Sequence, residues 1–202
     1  MEEVQVQKTT WYQNLTTEQE KVWFEEQIRQ CEKDITRFAC HITGNMEKAK
    51  DLIQEAFLRA YKYRHSYNDK YPFRNWLYTI LLNIHRHNCK KEKLFKTIIP
   101  WKNYDDEEQE AWDFIESEEE GPEVRTLKKQ LVVDIEKAIQ KLPLKMREVI
   151  ILCDLIGYSY EEASEIVSCP LGTIRSRLHR ARRQVQKELE NVYGEDLLTS
   201  WR

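Results

Sequence analysis

Outside one acidic stretch, apolar residues recur along this chain with the 3.6-residue period of α-helices. A first helix is predicted from Thr17, with Thr16 or Thr17 as its cap and Val22, Phe24, Ile28, Cys31, Ile35, Phe38 and Ile42 on its inward side. Gly44-Asn45 stops it. The next segment, MEKAKDLIQEAFLRAYKYR, turns Ala49, Leu52, Ile53, Ala56, Phe57 and Ala60 inward. A loop, HSYNDKYP, precedes a third helix from Phe73 whose apolar set is Trp76, Leu77, Ile80, Leu81 and Ile84. A second series opens with TLKKQLVVDIEKAIQKL and continues as one helix from Pro143, a favoured helix start, to Gly157, a stop. Ser159 with Glu162 forms a capping box, so a short helix begins at Tyr160. Cys169-Pro170 interrupts it, and a last helix follows from about Leu171. The pattern predicts an all-α protein of two small helical domains, the C-terminal one containing a helix-turn-helix.

Charge divides the chain more sharply than hydropathy does. The formal net charge of −3 conceals segregation: Thr97 to Arg125 holds eleven acidic and two basic residues, whereas Arg59 to Lys96 holds ten basic and two acidic. The acidic stretch has a Gly-Pro break and few aliphatic residues, so a flexible linker is expected over 97–123. It separates a domain over 17–96 from one over 124–190, with an N-terminal extension over 1–16 and a tail over 191–202. Trp112, Phe114 and Ile115 interrupt the linker's polarity and are candidates for docking elsewhere.

The last helix carries the most specific chemistry. Ile174, Leu178, Ala181 and Val185 recur at i, i+4, i+7 and i+11, which makes one apolar stripe. Ser176, His179, Arg180 and Arg183 face away from it, with Arg175 at its flank. Pro170 to Lys187 contains six Arg or Lys and no Asp or Glu. An ordinary solvated helix mixes Glu with its Arg for i,i+4 support. Two short helices joined by a tight turn, the second apolar behind and cationic in front, describe a helix-turn-helix with its recognition helix.

Three motifs in order, DLIQEAFLRAY (Asp51 to Tyr61), FRNWLYTILLN (Phe73 to Asn83) and the block from Tyr158 to Arg182, resemble bacterial RNA polymerase sigma factors of the extracytoplasmic-function group. The resemblance covers about Ile35 to Lys93 and Val132 to Leu189. It implies that the first domain binds and melts the −10 promoter element and that the second reads the −35 element as duplex. Thr173, Arg175, Ser176, His179, Arg180 and Arg183 are then the −35 contacts. The loop residues Tyr67, Asn68, Lys70, Tyr71 and Phe73, with Asn83, are expected to hold an extruded base, while His85, Arg86, Lys90 and Lys91 follow its backbone. The alternative for that loop is aromatic packing on the third helix, and the periodicity of Trp76 favours packing for that residue. Asp51, Gln54, Glu55, Phe57, Leu58 and Arg59 are implied as the grip on core polymerase, where the residues alone describe only an amphipathic helix. The loop before Phe73 lacks the Gly-Asp-Ser-like run of many relatives.

The resemblance further implies core RNA polymerase, promoter DNA and an anti-sigma factor, in many cases membrane-anchored, as partners. A stand-alone helix-turn-helix regulator is the competing reading; it needs neither the polymerase grip nor the melting loop. An enzyme is disfavoured, because no phosphate-cradling glycine loop or nucleophile motif is present and only five glycines occur in 202 residues. No small-molecule substrate is expected. His85, His87 and Cys89 lack a fourth ligand, so neither metal nor cofactor is expected. Five scattered cysteines and the absence of a targeting or membrane-spanning run predict a reduced, cytoplasmic protein.

Overall fold

A computed structural model describes residues 16–98 and 122–194. Most of the acidic segment, with Trp112, Phe114 and Ile115, lies outside the described residues, as do residues 1–15 and 195–202. Seven α-helices are present among those described: α1 (Thr17–Thr43), α2 (Met46–Lys62), α3 (Phe73–Ile98), α4 (Pro122–Gln140), α5 (Leu144–Ile150), α6 (Tyr160–Val167) and α7 (Leu171–Tyr193).

The caps follow the sequence signals. Thr16 and Gln19 form a capping box at α1, Asn45 caps α2, and Ser159 with Glu162 forms the box at α6. Gly44 ends α1 in the left-handed region at φ 66°. Ser168 adopts the same conformation at the turn of the helix-turn-helix, with φ 57°.

α1, α2 and α3 pack around Ile35, Phe38, Leu52, Ala56, Leu77 and Leu81. Val22, expected inward, is 59% exposed. The stripe of α1 instead runs through Glu20, Phe24, Cys31 and Ile35, and Glu20 takes the buried phase because Arg64 and His65 neutralise it at 2.9 and 3.0 Å. Those hydrogen bonds hold the Glu20 carboxyl below its usual range and pin the 3₁₀ turn Arg64–Ser66 to α1.

The single helix expected from Pro143 to Gly157 is broken in character. α5 passes at Ile151 into a π-helical turn through Leu155, closed by Ile156 N–H donating to the Ile151 carbonyl at 3.0 Å. Val149, Ile150, Ile151 and Leu152 are consecutive and all buried, more than one α-helical stripe can turn inward. The wider turn also brings Asp154 to Arg182 of α7, at 2.6 and 2.9 Å.

The two helical units share one contiguous core. Tyr78 and Leu82, outside the expected apolar set of α3, are fully buried because the second unit covers that side of the helix. The Tyr78 ring meets Tyr158 edge-on at 5.4 Å, and Arg74 lies over the Tyr158 ring. Arg86 holds Glu148 of α5 through two hydrogen bonds.

Leu178, 1% exposed in the stripe of α7, anchors that helix to α5 and α6. Leu178→Ala should cost about 2–5 kcal/mol of stability, by lost transfer energy and a residual cavity. Denaturant unfolding of the full chain measures this, and a loss under about 1 kcal/mol would contradict the assigned packing.

Candidate nucleic-acid interface

α6 and α7 build the first surface. The α6 capping box, the left-handed Ser168 and Pro170 at the start of α7 set the turn, and burial of Ile174, Leu178, Ala181, Val185 and Leu189 fixes the rotation of α7. That rotation leaves Arg175, Ser176, His179, Arg180 and Arg183 exposed, with Thr173 half-buried at the first turn. Arg180 Nε donates to the Ser176 carbonyl at 3.1 Å, so its guanidinium lies along the helix. Two of the six basic residues on this stretch are held by the protein. Arg182 is paired with Asp154, and Arg177 reaches the Cys169 Sγ at 3.6 Å. A shallow groove lined by Tyr160, Arg175, His179, Arg182 and Arg183 runs along the exposed side.

α3 and the loop before it build the second surface. Tyr67 and Phe73 are buried, and with Trp23, Phe24 and Trp76 they form an aromatic cluster with ring centroids 5.4–5.8 Å apart. Tyr67 Oη also donates to the Tyr71 carbonyl at 2.7 Å, which closes the loop. Lys70 and Tyr71 are exposed and Asn68 is half-buried. Asn83 lies two turns along α3 from Trp76, exposed, in phase with His87, Lys90 and Lys91.

This phase corrects two sequence expectations. His85 sits opposite Asn83, buried, with its Nε2 3.5 Å from Cys89 Sγ. Burial, aided by nearby Arg147, Lys48 and Arg86, lowers its pKa to about 4, so it is neutral where a phosphate contact needs a cation. Arg86 is held by Glu148 and by the Val167 carbonyl. The basic run is contiguous in sequence but not in helical phase, and on the exposed side His87 is the side chain one turn beyond Asn83. Tyr67 and Phe73 likewise shape the loop from within instead of presenting open ring faces.

α2 presents a third surface. Asp51, Gln54, Leu58 and Arg59 are exposed, Leu58 at 73%, and Glu55 pairs with Arg59 at 2.5 Å. Phe57 is half-buried and lines a shallow apolar groove with Phe24 and Ile28 of α1.

Comparison with known proteins bears on all three surfaces. Residues 27–94 match sigma-70 region 2, and residues 133–185 match sigma-70 region 4. The ECF RNA polymerase sigma factor EcfG of Rhodopseudomonas palustris is 33% identical over 79% of this chain and 81% of its own. The chain belongs to the ECF sigma factors. ECF RNA polymerase sigma factor SigE of Mycolicibacterium smegmatis is 30% identical over 82% of this chain, which spans 61% of that longer relative. Among solved structures, the sigma factor RpoE of Bartonella quintana, crystallised with the anti-sigma factor NepR, superposes with a TM-score of 0.65 at 26% identity, covering 83% of this chain and 96% of that one. The region 2 match excludes the stand-alone regulator: this is a promoter-directing sigma factor with sigma-70 regions 2 and 4. Among its described residues no helix is long and apolar enough to cross a membrane.

Burial of neutral His85 makes the stability of this sigma factor depend on pH. The His85 pKa is lowered on folding, so its contribution is present above 6.5 and is lost as pH falls toward about 4. Protonation there opposes folding by roughly 3 kcal/mol at the acid end. His85→Gln should therefore lose distinctly less stability than wild type between pH 7 and pH 4.5, measured by denaturant unfolding at each pH. Parallel curves for the two proteins would show that His85 is not buried neutral.

Proposed function

We propose that this sigma factor binds core RNA polymerase through the exposed face of α2, engages the −10 element with α3 and its preceding loop, and reads the −35 duplex with α7. The observation that carries the reading is the acid-free outward face of α7 as far as Lys187, held in phase by its buried stripe. Thr173, Arg175, Ser176, His179, Arg180 and Arg183 are assigned to the −35 duplex. Asn68, Lys70, Tyr71 and Asn83 are assigned to the extruded base, over the floor made by Tyr67 and Phe73, and Lys90 and Lys91 with His87 to its backbone. Asp51, Gln54, Glu55, Leu58 and Arg59 are assigned to polymerase, with Phe57 behind them. The factor acts in the cytoplasm without catalytic activity of its own, and an anti-sigma factor restrains it, as NepR pairs with the Bartonella RpoE.

An Arg bidentate to guanine contributes roughly 1–3 kcal/mol of discrimination. Arg180→Ala should weaken transcription at one −35 position selectively, whereas Arg183→Ala should weaken all promoters alike, as a lost phosphate contact does. In vitro transcription over a promoter library separates the two, and uniform loss for Arg180→Ala would remove it from base reading.

Strand opening provides an independent test. An exposed amide that both donates and accepts suits an extruded base, and stacking adds about 1–3 kcal/mol per base. Asn83→Ala should form holoenzyme and bind closed promoter but fail to expose thymines to permanganate, with partial rescue on pre-melted templates. Normal opening on duplex templates would take Asn83 out of the site. Asp51→Arg with Glu55→Arg should abolish holoenzyme assembly, and assembly at unchanged affinity would move the polymerase grip elsewhere.

A further inference from the structure

The cations of α7 are not equally available to a ligand. Arg182 lies two helical turns beyond Arg175, about 10 Å along the same flank of the helix. With Arg175, His179 and Arg183 it lines the groove on the exposed side, and its side chain is 54% exposed. By position it belongs with the residues assigned to the −35 duplex. Its guanidinium is nevertheless occupied: Nε donates to one Asp154 oxygen at 2.9 Å, and Nη2 donates to the other at 2.6 Å. Tyr160, at the start of α6, adds a further hydrogen bond to the same group.

The acid comes from outside the helix. From Leu171 to Lys187, α7 carries no Asp or Glu, so the carboxylate that meets Arg182 is supplied 28 residues upstream. The backbone there is specialised. Asp154 sits in the π-helical turn Ile151–Leu155, exposed two residues beyond the fully buried Leu152. Single π-helical turns of this kind recur at functional positions.

An ion pair this open to solvent contributes modestly to stability. Its larger consequence is for binding. A guanidinium already neutralised by a carboxylate displaces no counterion from a phosphate. Phosphate contacts carry no sequence information, so withholding one weakens binding to every sequence alike and leaves the choice among sequences to the base-reading side chains.

We infer that Asp154 is a positioning residue that withholds Arg182 from duplex phosphates, and so limits how strongly α7 binds DNA of any sequence. The inference rests on the −35 assignment of α7 proposed above.

Asp154→Asn in the full chain tests it, beside Arg182→Ala and the double variant. The probe is a mixed-sequence duplex of about 30 base pairs, with binding read by fluorescence anisotropy between about 0.05 and 0.3 M salt. Release of Arg182 should steepen the fall of log affinity with log salt by about 0.9, and raise affinity roughly eightfold at about 0.1 M salt. A pair with a merely structural role predicts the opposite sign, because a loosened α7 binds less well. Arg182→Ala should bind as wild type does and should abolish the gain when added to Asp154→Asn. A gain that survives in the double variant would show that Asp154 acts by its own repulsion of phosphates, which overturns the inference. Asp154→Glu keeps the carboxylate and should stay near wild type. Unchanged or weaker binding by Asp154→Asn, with its helices intact by circular dichroism, also overturns it; if that variant loses its helices, Asp154→Ser decides on the same readouts. Arg183→Ala in the same assay separates this inference from the reading beneath it. If Arg183→Ala leaves binding unchanged while Asp154→Asn gains, withholding stands and the −35 assignment fails. If Arg183→Ala weakens binding and Asp154→Asn gains nothing, the assignment stands and withholding fails. Absence of duplex binding by every protein would overturn both.

Discussion

The pairing of Arg86 with Glu148 sets how the molecule is put together. Glu148 is fully buried, and an isolated carboxylate there is untenable. The guanidinium fork meets both of its oxygens at once, a geometry that Lys does not supply. Net stability from such a pair is small next to an apolar pair of the same shape, yet removing one partner costs about 3–5 kcal/mol. The pair therefore acts chiefly on register. Any slide of α3 along α5 leaves Glu148 charged and unmatched, so Thr79 meets the Ile166 carbonyl and Tyr78 meets Tyr158 only in the arrangement the pair permits.

α3 is the helix on which the demands converge, and its 26 residues divide into three faces. Leu77, Leu81 and Ile84 face α1 and α2; Asn75, Tyr78, Leu82 and Arg86 face the second unit; Asn83, His87, Lys90 and Lys91 face solvent. A helix used on two sides for packing has one remaining for a ligand, and on that side the charges are nearly all positive. The aromatic cluster of Trp23, Tyr67, Phe73 and Trp76 braces its first turn, while the Glu20 clamp on Arg64 and His65 fixes where the preceding loop departs. The loop's exposed groups are thus supported from beneath by packed side chains.

Local signals in the sequence translated well into structure where one neighbour decides the outcome. The cap at Thr16 (one of two candidates), the box at Ser159, the stop at Gly44 and the stripe Ile174, Leu178, Ala181, Val185 depend on residues within one or two turns, and each is present. Errors arose where a distant segment decides. Val22 was given a phase that Glu20 holds through Arg64, 44 residues away. Tyr78 and Leu82 seemed surplus because the apolar pattern of α3 cannot reveal that α5 and α6 cover its other side. His85 and Arg86 lie in a basic run of the sequence, but helical phase with tertiary burial takes both off the exposed face. The π-helical turn at Ile151 had no signal beyond a run of four apolar residues that a single helical stripe cannot accommodate.

On α7 the segregation of charge carries its own cost, because like charges at i and i+4 repel one another. Arg182 eases this by pairing with Asp154 across the π-helical turn, which also holds α7 against rotation. Lys141, just past α4, on Glu188 and Tyr193 Oη on Asp134 of α4 tie down the far end of the helix, where acid reappears on α7. Arg175, Arg180, Arg183 and Lys187 remain outward. Fixing the helix at both ends while keeping acid off its middle leaves the repulsion unrelieved only where a polyanion can relieve it. Under the −35 assignment proposed for α7, counterion release makes such binding both favourable and dependent on salt.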